Sequence, residues 1–328
     1  MSHGNSRTAA ILASCLAVFA AAALGGGPAH ADRPEVRPFI LANGGMQQAF
    51  STEGLTNQTC VADRMLPPTH PYLENTIASM RAAFEIGADI VEFDIQPTAD
   101  RRFAVTHEWD LECRTDGKGK TSDHTLAQLQ TLDVGYRYTA DGGKTYPFRG
   151  KGIGLMPSLE QVLDTFPDKR LLIDMKSNEP ADGQQLATAL STLSEGRRKL
   201  LSVEGGDKSI AALRQQLPDM RVTSRAIIAD CVATFAATGW HGDVPQSCRN
   251  IELLLPDKFA PMLWGWPNDF IERMADNDTV VVIEKGDGTE EFSSGFDSPE
   301  DLQRLPPGYR GGVWTNHVDR IAPVFNRN

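Results

Sequence analysis

Nine short apolar runs, most of them rich in β-branched residues, lie at 39–42, 90–95, 103–107, 171–175, 200–203, 221–223, 251–254, 280–283 and 312–314, separated by amphipathic stretches. Such alternation is the pattern of parallel strands joined by crossover helices, and so of an α/β fold. Helices are expected over 74–86, 126–132, 158–165, 183–193 and 208–216, with Ser158 and Asp207 as capping residues. If eight of the runs close a barrel, at least one of the nine lies outside it or pairs locally. A doubly wound open sheet is the alternative, but it needs a phosphate loop that opens a helix after the first strand. Asn43-Gly44-Gly45 is not followed by an obvious helical pattern.

The first thirty-one residues differ from the rest. Arg7 is their only charged residue, Ile11 to Ala23 is apolar, and Ala29-His30-Ala31 precedes Asp32-Arg33. This is the composition of a cleaved secretory leader, and its apolar core is short for a membrane span. Leu12-Ala13-Ser14-Cys15 resembles a lipoprotein box, but Cys15 precedes most of the apolar run. Cleavage is therefore expected near Ala31, giving a secreted or periplasmic protein. The remainder, 32–328, reads as one domain of a size that α/β barrels commonly occupy, about 250 residues. It carries 31 basic and 43 acidic residues. That balance argues against a nucleic-acid partner and against anionic lipid surfaces. A monomer without stable membrane insertion is expected.

Four cysteines follow the leader: Cys60, Cys113, Cys231 and Cys248. An even number in an oxidising compartment favours disulfides, with three pairings open. Cys60–Cys113 with Cys231–Cys248 is preferred, because each pair would staple segments that read as loops. No C-x-x-C spacing supports a metal site built on them.

Alternation in Val91-Glu92-Phe93-Asp94-Ile95 puts three apolar side chains on one face and both carboxylates on the other. A strand covered on both faces normally reads as a continuous apolar run, so these acids require water, a cation or basic partners. Leu172-Ile173-Asp174-Met175-Lys176 repeats the arrangement. In a barrel both segments end at the face where sites form, and three carboxylates suit Mg2+ or Ca2+. Lys176 is placed to neutralise a phosphate oxygen there. His107, at the end of a third run, is the candidate general acid or base. Taken singly, each has a plainer reading: a wet strand end, an ion pair, a structural histidine.

The motifs Leu41-Ala42-Asn43-Gly44-Gly45, Glu74-Asn75-Thr76, Gly87-Ala88-Asp89-Ile90-Val91-Glu92-Phe93-Asp94, His107, Arg114-Thr115-Asp116-Gly117-Lys118-Gly119, Met156-Pro157-Ser158-Leu159-Glu160, Asp174-Met175-Lys176 and Val313-Trp314-Thr315-Asn316 occur in this order. The series resembles the glycerophosphodiester phosphodiesterases. The resemblance implies a (β/α)8 TIM barrel and a divalent cation, Mg2+ or Ca2+, held at Glu92, Asp94 and Asp174. It makes His107 one of two catalytic histidines and Lys176 a phosphate contact, and it puts Glu74 and Trp314 at the substrate. The implied activity is hydrolysis of a small glycerophosphodiester, or of a related lipid-derived phosphodiester, to an alcohol and a phosphomonoester.

Asp174 stands where glutamate is commoner in the family, which keeps a carboxylate ligand, and a second departure matters more. Asn43-Gly44 stands where the family carries histidine and arginine, so an acid or base and a phosphate clamp are missing from their usual places. Asn43 cannot titrate, although it can orient a water or hydrogen-bond a phosphate oxygen. His70, His124 and His317 are the candidate replacements for the histidine, His70 foremost. Arg225 and Lys285 are those for the arginine. The alternative is a catalytically impaired protein that binds phosphodiesters in a metal-dependent way.

Overall fold

A computed structural model describes residues 36–56, 59–288 and 294–325. The segment read as a leader lies outside the described residues. The strands are β1 (Phe39–Ala42), β2 (Ile90–Pro97), β3 (Phe103–Val105), β4 (Arg170–Met175), β5 (Leu201–Gly205), β6 (Arg221–Thr223), β7 (Glu252–Pro256), β8 (Val280–Glu284) and β9 (Gly312–Thr315). Eight of them run parallel in the order β6-β5-β4-β2-β1-β9-β8-β7, and β3 pairs antiparallel with β2. The two end strands β6 and β7 lie against each other. The result is a nearly closed (β/α)8 barrel, and the surplus ninth run is β3.

Strand alternation sorts the side chains into two cores. Leu41, Ile90, Leu172, Leu254, Val282 and Trp314 fill the barrel interior. Val91, Phe93 and Ile95 of β2, with Ile173 and Met175 of β4, pack outward into the larger core shared with the helices. Inside the barrel, the neighbouring strands β2, β4 and β5 place Asp94, Asp174 and Glu204 at matched register positions. Three acids therefore meet on one level of the barrel interior.

Several boundaries shift for local reasons. The first helix is Ile77–Ile86 rather than 74–86, because Asn75 has a φ of 61° and Thr76 caps the helix reciprocally with Ser79. This frees Glu74 and Asn75 for the loop at the barrel mouth. Ser158 caps Leu159–Thr165 as expected, whereas Asp207 is the first residue of its helix, after Gly206. His107 lies two residues past the end of β3, on a loop rather than on the strand. Both disulfides have the preferred pairing. Cys231, however, is a buried residue of the helix Arg225–Thr238, so that bridge staples this helix to the short 3-10 helix Gln246–Cys248. Among the described residues, no helix is long and apolar enough to cross a membrane.

The helices Pro180–Ser191 and Asp207–Gln216 touch through Gly183, where an added Cβ would lie 2.1 Å from the Ser209 carbonyl oxygen. Backbone cannot yield there as a flexible side chain would. Gly183→Ala is expected to destabilise the protein by about 1–3 kcal/mol. Chemical denaturation measures this, and an unchanged midpoint would refute the close approach.

Candidate active site

Glu92, Asp94 and Asp174 each offer a carboxylate oxygen within 4.8 Å of the others. At an effective dielectric of about 20, each such pair of like charges repels by about 3–4 kcal/mol. Lys176 offsets part of this. Its Nζ lies 2.6 Å from Asp94 Oδ1 and 2.5 Å from Asp174 Oδ2. Burial opposes the lysine's charge, but Asp174, Asp94 and Glu92 outweigh it and hold the ammonium protonated well above the ordinary range. For Asp94, burial works against ionisation, yet Lys176, His107 and Asn75 bring its pKa below the usual value. Glu92 goes the other way, pushed well up by burial and then by Asp94 and Asp174. The cluster is short of positive charge.

The surrounding loops fix these carboxylates. The Gly44 amide donates to Glu92 Oε2 at 2.9 Å, and Asn75 Nδ2 donates to Asp94 Oδ2 at 2.6 Å. Gly44 adopts a φ of 64°, and a Cβ there would lie 3.1 Å from that of Glu74. An arginine at this position would therefore be strained.

A second buried network runs behind the first. Arg114 pairs with Glu74 through Nη1 and with Glu108 through Nε at 2.5 Å, while the Tyr138 hydroxyl donates to Glu74 Oε2 at 2.9 Å. Glu108 Oε1 lies 3.4 Å from His107 Nδ1, close enough for an ion pair. Burial would raise the Glu108 pKa, but Arg114 and His107 lower it to about 2.

A cavity of about 930 Å3 opens over the cluster, and Asn43, Glu92, Asp94, His107, Asp174, Lys176 and Trp314 all line it. Trp314 is buried, and its Nε1 has no partner among the described residues. Glu74 lies outside this cavity and lines smaller spaces beside it together with Arg114. Of the proposed replacements, only Arg225 lines the cavity. His70 is held by Gln48 Nε2 at 3.0 Å and the Gln47 carbonyl at 3.1 Å. His124 bonds the Lys118 carbonyl, and Lys285 bonds Asp301. His317 is displaced to the start of the helix Val318–Ile321, and burial lowers its pKa.

Sequence reading missed three participants. Glu204 lines the cavity, with its pKa raised by burial and then by Asp174 and Glu284. The alternation Leu201, Val203 against Ser202, Glu204 carried the signal one residue beyond the expected strand. Arg114 stood only within a motif and Glu108 carried no signal of its own, since nothing local pairs residues 74, 108, 114 and 138.

A carboxyl whose folded pKa is depressed stabilises the fold above its unfolded pKa and loses that contribution as pH falls through the folded value. Glu108→Gln should therefore lower the melting temperature by a constant amount above about pH 5. The difference from the unmodified protein should narrow between about pH 4.5 and about 2. A difference independent of pH would show that Glu108 gains nothing from ionising.

The profile of the Glycerophosphoryl diester phosphodiesterase family matches residues 64–216. An uncharacterised protein of Mycobacterium tuberculosis is 29% identical over 150 residues, which span 45% of this chain and 50% of that protein. A glycerophosphodiester phosphodiesterase of Bacillus subtilis is 36% identical over 116 residues, spanning 34% and 38% respectively. The chain thus spans half or less of the length of these curated relatives. In fold, the crystal structure of a glycerophosphodiester phosphodiesterase from Agrobacterium tumefaciens superposes with a TM-score of 0.57 at 19% identity, covering 88% of this chain and 100% of that one. The ordered motifs, the parallel barrel and this profile match over residues 64–216 support membership in the glycerophosphoryl diester phosphodiesterase family.

Proposed function

We propose that this chain is an exported, metal-dependent phosphodiesterase that cleaves glycerophosphodiesters or related lipid-derived diesters by phosphoryl transfer to water. The observation that carries the reading is the convergence of Glu92, Asp94, Asp174 and Lys176 under a cavity that His107 also lines. The donor set fits a divalent cation. Three hard oxygen ligands stand together, two of them oriented by the Gly44 amide and Asn75, and one lysine leaves their charge incompletely balanced. Glu92, Asp94 and Asp174 would hold Mg2+ or Ca2+, which when bound supplies Lewis-acid polarisation of a phosphoryl oxygen. Lys176 contributes positive charge for the phosphate beside the carboxylates. His107 exchanges a proton with the attacking or leaving oxygen, with Glu108 at its Nδ1 and Nε2 left for the transfer. Trp314 is assigned to substrate contact in the cavity, and Glu74 to substrate binding through the smaller space that it lines with Asn43, Asp94 and His107. Two disulfides support export, because such bridges persist in oxidising compartments. On this reading residues 1–31 are the leader and 32–328 the catalytic domain.

The mature protein should release an alcohol from a glycerophosphodiester or lysophospholipid with Mg2+ or Ca2+, and a chelator should abolish the release. His107→Ala should lower kcat by about 10²–10⁴-fold. Chromatography of the products separates hydrolysis from an internal attack that yields a cyclic phosphate. Absence of turnover across a broad diester panel would sink the reading.

One observation favours a second reading, a protein that binds phosphodiesters without cleaving them. Of the described histidines, His107 alone lines the cavity. That protein would melt higher with a diester only when metal is present, and it would accumulate no product. Asn43→His alone is the relevant restoration, since the Gly44 backbone disfavours an arginine.

A further inference from the structure

The hydrogen bonds around Asn43 determine which end of its amide faces the cavity. They begin at Asp297, whose Oδ1 accepts the Asn316 backbone N–H at 2.7 Å and whose Oδ2 accepts from Asn316 Nδ2 at 3.0 Å. A carboxylate only accepts, so Asn316 must turn its nitrogen to Asp297 and its carbonyl the other way. That carbonyl receives Asn43 Nδ2 at 2.7 Å and Gln47 Nε2 at 3.2 Å. Flipping Asn43 would set two carbonyl oxygens 2.7 Å apart, with no proton between them. The directional chain Asp297, Asn316, Asn43 thus draws the Asn43 nitrogen toward Asn316, which does not line the cavity. Asn43 itself does, and its Oδ1 meets no donor among the described residues.

We infer that Asn43 is an acceptor that orients an O–H group. Its Oδ1 receives a hydrogen bond from the attacking hydroxyl, either water or a hydroxyl of the ligand, and its nitrogen does not serve the phosphoryl oxygens. Asp297 and Asn316 are positioning residues that set this polarity. The amide oxygen is too weak a base to take the proton, so Asn43 aligns the nucleophile and leaves proton transfer to His107. This assignment rests on the diesterase reading for the identity of the ligand. It also narrows the two roles that the sequence left open for Asn43 to one. Neither Asp297 nor the direction of the chain is visible from the motif, because residue 43 meets 316 through the pairing of β1 with β9, and residue 297 meets 316 where the Phe296 N–H donates to the Trp314 carbonyl.

The test compares the mature protein, Asn43→Ala and Asp297→Asn, all with Mg2+. Turnover of a glycerophosphodiester is measured, together with calorimetric affinity for inorganic phosphate and for glycerol 3-phosphate. Both variants should lose about tenfold or more in kcat, while KM and phosphate affinity stay within about twofold. Weaker glycerol 3-phosphate binding with phosphate binding retained assigns the ligand's own hydroxyl, and retention of both assigns water. A fivefold loss of phosphate affinity in Asn43→Ala would make the amide a phosphate donor and overturn the inference. An unchanged kcat in Asp297→Asn would overturn the positioning role. Asn43→Ala keeps the test valid if Asp297→Asn melts early. If the unmodified protein binds phosphate without turnover, the diesterase reading falls alone. The inference then stands only if Asn43→Ala weakens glycerol 3-phosphate selectively. If the unmodified protein binds neither probe, both fall.

Discussion

The geometry of the site depends on one electrostatic problem: three carboxylates crowd into the mouth of a barrel around a single ammonium. The repulsion estimated for each pair is a large fraction of the net stability of an ordinary domain. The fold accommodates it by giving the oxygens specific partners. Lys176 bridges Asp94 and Asp174, Asn75 holds the far oxygen of Asp94, and the Gly44 amide meets Glu92. Two backbone conformations follow from these partners. Asn75 and Gly44 both have positive φ, and each places a hydrogen-bond donor against a carboxylate.

The arginine network answers a different need. Arg114 lies between Glu74 and Glu108, so its charge is neutralised within the wall and is not available to clamp a phosphate. What it does is make Glu108 a fixed anion beside His107. The Cys60–Cys113 bridge ties the loop that carries Arg114 to the chain preceding Glu74, and both cysteines line the cavity. The walls of the cavity are thus covalently and ionically rigid, while its floor carries a deficit of positive charge.

Much of this was legible in the sequence because strand periodicity is a short-range property. Glu92, Asp94 and Asp174 alternate against apolar neighbours that must face the helices, which forces the acids inward whatever the rest of the chain does. Expected strand positions 39–42 and 221–223 were reproduced to the residue. What stayed hidden depends on contacts across long separations or on local caps. The helix start moved because the Asn75 backbone turns left-handed, a conformation that serves Asp94 nineteen residues away. Glu204 escaped because the apolar run stops at Val203 and the strand continues through Gly205. His70, the foremost candidate to replace the missing histidine, lies four residues before Glu74, yet hydrogen bonds from Gln48 and to the Gln47 carbonyl turn it into the loop. Sequence proximity did not specify which side of that loop faces the cavity.

The charge on the floor also bears on how ligand and cation relate. A phosphodiester is an anion, and it approaches a surface where three carboxylates outnumber one lysine, with Glu204 beside them. Without further positive charge that approach is opposed, and the opposition is strong where protein excludes water. A divalent ion on Glu92, Asp94 and Asp174 would cancel the excess negative charge that Lys176 leaves, so on the proposed reading the ion and the diester assist each other's binding. By linkage the assistance is mutual: whatever factor the ion adds to ligand affinity, the ligand adds to ion affinity. This coupling depends on the carboxylates and Lys176 rather than on Asn43. On the proposed reading, metal and phosphate recognition therefore do not require a titratable group on the first strand.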